Sequence, residues 1–307
     1  MADEHRSGLD PEAYHRLTGF EGDWRDSWWD QSYLEFIAKE LGLERIEEAL
    51  DLGCGVGHWG QRLLPLLADG ARLQGVDAEP TWMEMARTRA AGLNATYQVA
   101  RAEALPFADE SFDLVTCQTL LMHVAEPAAV VREALRVLRH GGLLLVAEPN
   151  NLGNAGAHMA WEPRAELPEL LALMELEYVC ARGKEALGEG WYAIAERLPS
   201  LFEGLGLHDV GARLNNQCNP WVPPYDRDPQ GIAMMRDAYE QGSVSLAGGT
   251  RDNGRRMFLA GGGTVERFES LWQQAREHDA GRLRALDQGR AASAGGHLHY
   301  LVWGRKN

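Results

Sequence analysis

Residues 49–67 read Ala49-Leu50-Asp51-Leu52-Gly53-Cys54-Gly55-Val56-Gly57-His58-Trp59-Gly60-Gln61-Arg62-Leu63-Leu64-Pro65-Leu66-Leu67. A short, mostly apolar run carries a carboxylate at Asp51. Glycines follow at positions 53, 55, 57 and 60, and then a helical pattern sets Trp59, Leu63, Leu64 and Leu67 on one side. Strand, glycine turn and helix in that order bring backbone N–H groups close to a nucleotide-like ligand. Glycine is needed where a Cβ would block either the turn or the ligand. Gly55-Val56-Gly57-His58-Trp59-Gly60 matches the dinucleotide pattern G-x-G-x-x-G, so a nicotinamide-dependent oxidoreductase is one reading. The wider stretch Asp51–Gly57 places an acid two residues before the first of three alternating glycines.

That wider stretch resembles motif I of the class I S-adenosylmethionine (SAM)-dependent methyltransferases. Charge separates the two ligands. A carboxylate at the loop repels a pyrophosphate, whereas SAM has no phosphate and carries an ammonium that a carboxylate attracts. The balance falls to SAM.

Composition bounds the rest. A chain of 307 residues suits one large domain or one domain with an insertion, and 45% hydrophobic with 24% charged residues is ordinary for a globular protein. A formal net charge of −15 argues against nucleic-acid partners, which need Lys and Arg to displace counterions, and against anionic membranes. The cysteines, Cys54, Cys117, Cys180 and Cys218, form no C-x-x-C pair, so no metal site is expected and free thiols in a reducing cytoplasm are. No signal-peptide pattern opens the chain and no apolar run reaches the ~20 residues of a membrane span. A cytoplasmic location follows as an expectation.

Arg72–Asp77 reads as a second strand ending on an acid. A carboxylate at this place faces a ribose and accepts from its hydroxyls, in either ligand class. Helix Pro80–Ala91 follows, and then strands at Ala95–Val99, Phe112–Cys117 and Leu143–Ala147. In an open α/β sheet ligands bind beyond the carboxyl ends of the strands, so Gln118, His123, Glu148 and Asn150 border the ligand. His123 reads equally as a helix-start histidine satisfied by backbone.

Several of these stretches resemble the same family. Ala104-Leu105-Pro106-Phe107 with Phe112-Asp113 resembles its G-D-A-x-x-L-P-F…F-D run, with Ala100 and Arg101 in place of Gly and Asp. Arg136-Val137-Leu138-Arg139-His140-Gly141-Gly142 resembles R-V-L-x-P-G-G, with His140 for the proline. The similarity is to the ubiquinone- and menaquinone-type small-molecule members. It implies a Rossmann-like seven-stranded sheet of order 3-2-1-4-5-7-6, with strand seven antiparallel, plus helical insertions. It also implies cofactor contacts at Asp51, Gly53, Cys54, Gly55, Gly57, Asp77, Ala78, Trp82, Arg101, Ala102, Glu103, Gln118 and His123. Trp82 reads equally as core. Arg16 or Arg25 is a candidate partner for the SAM carboxylate.

The expected organisation is a helical cover over 1–44, a SAM-binding core over 45–152, helices and strand six over 153–215, a helical insertion over 216–296, and strand seven over 297–307. The insertion reads as a lid, with outer packing or a dimer surface as the alternative, so a homodimer stays open. The aromatic group Trp24, Trp28 and Trp29 reads either as a packing staple or as part of that lid. The implied reaction is in-line transfer of a methyl to a small-molecule acceptor, releasing S-adenosylhomocysteine, with His123, Glu148 and His299 as candidate bases. A SAM-binding sensor or partner subunit without turnover is the other alternative.

Overall fold

The computed structural model describes residues 28–159, 161–246 and 249–307. Arg16, Arg25 and Trp24 lie outside the described residues. The chain divides into two compact units. One comprises residues 28–150, 193–216 and 298–307; the other comprises 151–192 and 217–297.

The first unit is built on a seven-stranded sheet: β1 (Glu48–Leu52), β2 (Arg72–Asp77), β3 (Ala95–Val99), β4 (Phe112–Gln118), β5 (Leu138–Pro149), β6 (His208–Leu214) and β7 (His299–Arg305). Its order is β3-β2-β1-β4-β5-β7-β6, and β7 pairs antiparallel with both neighbours, as the family resemblance implies. The central strands carry buried apolar residues on both faces. Leu50, Leu52, Val76, Leu114, Val115 and Leu145 are all sealed from solvent, as strands covered on both faces require.

Helices α1 (Gln31–Leu41), α2 (His58–Leu63), α3 (Pro80–Arg89) and α4 (Pro127–Val137) belong to this unit. Helix α1 is fixed at both ends: the Asp30 side chain accepts from the Ser32 and Tyr33 N–H groups, and Gly42 closes the helix at φ +73°. Strand β5 starts earlier than its apolar run. Residues 138–142, ahead of the strand Leu143–Ala147 read in the sequence, join it through an irregularity in the register with β4 between Phe112 and Leu114.

The second unit is helical: α5 (Asn151–Met159), α6 (Leu167–Ala186), α8 (Pro229–Glu240), α9 (Arg251–Ala260) and α10 (Val265–Asp287), with the short α7 (Leu198–Gly204) lying in the sheet unit. Its main core gathers Leu173, Leu176, Phe258, Phe268, Leu271 and Trp272. A Cβ on Gly183 would lie 1.6 Å from the Met257 carbonyl oxygen, so α6 and α9 pack backbone to backbone. A second cluster holds Trp161, Met235, Leu283 and Leu286. Among the described residues no helix is long and apolar enough to cross a membrane.

Candidate active site

The parallel strands all end at one edge of the sheet, and the register fixes what meets there. Leu52 lies beside Val76 on one side and Cys117 on the other; Gln118 lies beside Ala147, and Pro149 beside His299. The glycine loop, Asp77, Gln118, Glu148 and His299 therefore come to one carboxyl edge.

The loop leaves β1 with Gly53 at φ +59°, Gly55 at +52° and Gly57 at +86°, conformations that L side chains rarely adopt. At Gly53 space is a second constraint, because a Cβ would meet Leu120 Cδ1 at 2.6 Å. Two carboxylates brace the loop from beneath. Asp51 Oδ2 accepts from the Gly60 N–H at 3.0 Å, and Asp77 Oδ2 accepts from the Gly55 N–H at 3.0 Å. Asp77 Oδ1 takes the Glu79 N–H at 2.9 Å. Each carboxylate oxygen has two lone pairs, so Asp77 keeps acceptor capacity for a ribose.

Asp51 is not at the mouth of the loop, where its charge was expected to act. It is 1% exposed and lies under the start of α2. Burial pushes its carboxyl up to about 8, with the Gly60 N–H opposing and the Asp77 charge adding to the rise. Burial likewise raises Asp77, against three backbone donors. Asp51 Oδ1 is buried and has no hydrogen-bond partner.

Strand β3 brings the adenine-side candidates to Asp77. The Ala100 N–H donates to the Asp77 carbonyl at 2.9 Å, and the turn behind it contains Arg101, Ala102 and Glu103. Ala102 is buried, whereas Arg101 is exposed and paired with Glu103 at 3.4 Å. Arg136 staples the following loop, donating to the Phe107 and Leu105 carbonyls and pairing with Asp109 and Glu133. Ala78 follows Asp77 directly, and Trp82, 9% exposed, sits in the first turn of α3. The buried Cys54 is held against ionisation chiefly by burial, so its thiol is a small apolar group.

The three candidate bases differ in their surroundings. Glu148 is fully buried, and its Oε1 accepts from the Leu120 and Leu121 N–H groups at 2.8 and 2.6 Å. It acts on the turn after β4. His299 is buried, and its ring packs on Trp28 at 4.3 Å and on Trp29 at 6.0 Å. Alternation along β5 and β7 turns Glu148 and His299 to opposite faces, since Glu148 lies opposite Tyr300 and His299 opposite Pro149. They do not form a pair. His123 is exposed at the end of the turn Leu121–His123.

Sequence reasoning passed over several residues that build this edge. Asn215 Oδ1 accepts from the His299 N–H at 3.0 Å, and its Nδ2 donates to the Trp28 carbonyl at 3.2 Å. Trp59 Nε1 donates to Thr116 Oγ1 at 2.7 Å, under Trp29. Thr119 Oγ1 is buried with no partner, as is Nε2 of Gln118, which the sequence reading had named. A lone asparagine or threonine in a sequence gives no sign of such a role.

The donor set fits SAM. Asp51 Oδ1 and the Gln118 amide nitrogen are buried polar atoms without a hydrogen-bond partner, and Asp77 has lone pairs left for hydroxyls. SAM brings an ammonium, a carboxylate and a ribose.

Comparisons with known proteins bear on the fold and the family. A methyltransferase-domain family model matches residues 50–146. A ubiquinone biosynthesis O-methyltransferase of Parvibaculum lavamentivorans is 30% identical over 231 residues, covering 62% of this chain and 88% of that protein. An uncharacterised protein in a transposon of Streptomyces fradiae is 36% identical over 121 residues, covering 39% of this chain; the chain spans 35% of that protein's length. A crystal structure of a protein from Bacillus halodurans shares the fold at TM-score 0.50 and 21% identity, over 90% of this chain and 98% of that one. The chain belongs to the class I SAM-dependent methyltransferases, whose methyl donor is SAM.

Proposed function

We propose that the chain transfers a methyl group from SAM to a small-molecule acceptor in line and releases S-adenosylhomocysteine. The observation that carries this reading is the buried, unpartnered Asp51 Oδ1 beside the glycine loop. A pyrophosphate would add negative charge beside a carboxyl that burial already keeps from ionising, whereas an ammonium stabilises its charged form. The relative named for ubiquinone biosynthesis supports an acceptor of small-molecule size. The net charge of −15 speaks against nucleic acid.

SAM, when bound, supplies a methyl already activated on a sulfonium, and the bond to sulfur breaks as the bond to the acceptor forms. The chain's part is alignment and exclusion of water, together worth up to ~7–11 kcal/mol. Asp77 would hold the ribose, the Ala102 backbone the adenine, and Asp51 and Gln118 the amino-acid end. Glu148 holds the turn that follows β4. His123 is the base where the nucleophile arrives protonated.

Isothermal calorimetry tests the reading. S-adenosylhomocysteine is expected to bind at one site per chain, and NADH not measurably. Tighter binding of NADH overturns it.

A further inference from the structure

The amino edge of the sheet, opposite the glycine loop, holds a cavity of about 440 Å³ within the sheet unit. The end of α1, the approach to β1, the start of β5 and the end of β7 form its wall. Leu41 and Ile46 are the apolar side chains of the lining, and three others are arginines: Arg45, Arg139 and Arg305. A chain of net charge −15 attracts no anion in general, so a grouping of cations here acts locally.

The nearby carboxylates do not cancel it. Asp113 lines the cavity, but both of its oxygens are in use. Oδ1 pairs with Arg139 Nη1 at 2.6 Å, and Oδ2 accepts from the Glu47 and Glu48 N–H groups at 3.1 and 3.0 Å. Glu110 is held by His140 at 3.0 Å and lies 3.7 Å from Lys306. Glu44 reaches Arg45 at 3.4 Å with both side chains mostly exposed, which makes a weak pair. Arg305 has no carboxylate partner among the described residues.

Arg305 is also fixed in place. Its Nη1 donates to the Gly141 carbonyl at 3.1 Å and its Nη2 to the Leu41 carbonyl at 2.8 Å. These bonds hold the guanidinium and occupy the carbonyl at the end of α1, where the helix dipole would otherwise repel an anion. Among the described residues Arg305 Nε and Arg139 Nη2 donate to nothing. A Cβ on Gly42 would lie 3.3 Å from Arg45 Nη2, so the third guanidinium rests over that glycine. Donors held in advance lose little freedom when a ligand arrives.

We propose that this cavity binds a phosphate-type oxyanion, with Arg305 and Arg139 as its main partners and Arg45 at the rim. Planar guanidinium groups meet phosphate oxygens through paired N–H bonds. Three of them suit the two charges of a phosphate better than the single charge of a carboxylate. The volume admits a small phosphomonoester as well as free phosphate. The site lies at the other edge of the sheet from the cofactor loop and does not depend on the SAM-dependent reading.

Proton–nitrogen NMR of the isotope-labelled full chain tests this, in phosphate-free buffer at constant ionic strength. Inorganic phosphate and glycerol phosphate are the probes. Saturable shifts are expected at the Gly42, Gly141 and Gly142 amides. Arg305→Gln should weaken phosphate binding about tenfold, the scale of a hydrogen bond to a charged group. Arg45→Glu should weaken it about threefold or more, as an exposed charge allows. S-adenosylhomocysteine affinity should stay unchanged in both. Arg45 is exposed, so its variant still tests the site if Arg305→Gln fails to fold.

Shifts at Gly53, Gly55 and Gly57 instead would seat the phosphate in the cofactor loop and overturn the proposal. So would equal shifts with chloride, or a phosphate affinity that Arg45→Glu leaves unchanged. Tighter binding of glycerol phosphate bears the proposal out with an organic phosphate as ligand; equal or weaker binding bears it out with free phosphate. A chain that binds phosphate here but no S-adenosylhomocysteine keeps this site and overturns the methyl-transfer reading alone.

Discussion

The Asp51 carboxyl is a residue whose spacing was legible in the sequence and whose environment was not. The acid-then-glycines pattern located it, but only the fold shows that it lies beneath the loop, fully buried, with one oxygen unpartnered. This sets the sign of a pH effect. Its folded value, about 8, lies above the ordinary 3.8, so the folded chain keeps a proton that the unfolded chain releases. Stability from this group therefore falls as pH rises from about 4 to about 8, by at most ~1.4 kcal/mol per unit. Asp51→Asn cannot titrate and should flatten that slope in urea unfolding at pH 5 and pH 8. Saturating S-adenosylhomocysteine should flatten it in the wild type, because its ammonium stabilises the carboxylate. A variant with the wild-type slope would show that Asp51 does not govern it. Asp77 was equally legible as a strand-end acid, but its second task, accepting the Gly55 N–H, was not. Asn215 left no signal at all. Its role lies in partners distant in sequence.

At the scale of elements, the central sheet was legible because its strands carry short apolar runs bounded by glycines and acids. Arg72–Asp77 and Ala95–Val99 match the reading residue for residue. Besides the early start of β5, the misses are helical. Asn151–Met159 and Arg251–Ala260 were not read, and the second, RDNGRRMFLA, shows why: its apolar residues, Met257 to Ala260, all fall in its last turn. Such a helix draws its stability from the surface it packs on, and that surface is α6. The contact gives a prediction. With the Met257 carbonyl 1.6 Å from the place a Cβ would take, Gly183→Ala must push α9 away. We expect a loss of about 1–3 kcal/mol, the usual cost of overpacking. S-adenosylhomocysteine affinity should be retained, since the loop and its carboxylates belong to the sheet unit. Thermal unfolding followed with calorimetry checks both; an unchanged melting temperature would mean that the two helices do not pack so closely.

At the scale of the molecule, sequence similarity and structure draw the line in different places. The family model stops at residue 146, close to the last sheet residue before α5. The helical unit then takes 151–192 as well as 217–297, whereas the sequence reading grouped 153–215 with strand six. Helix α6 accounts for the difference, because its inward face carries Leu173 and Leu176 into one core with Phe258, Phe268 and Trp272. A unit with a core of its own can respond to a ligand as a body. We propose, from the sequence reading of residues 216–296 as a lid, that this segment responds when ligand binds. Water at a reacting centre weakens alignment, so a methyltransferase gains from closing over its substrates. Hydrogen exchange measured with and without S-adenosylhomocysteine should show slower amides in the 53–57 loop, as direct binding requires. It should also show slower amides in α8 and α9 of the helical unit. Protection confined to the loop would count against the cover and make a surface for a second copy the better account of residues 217–297.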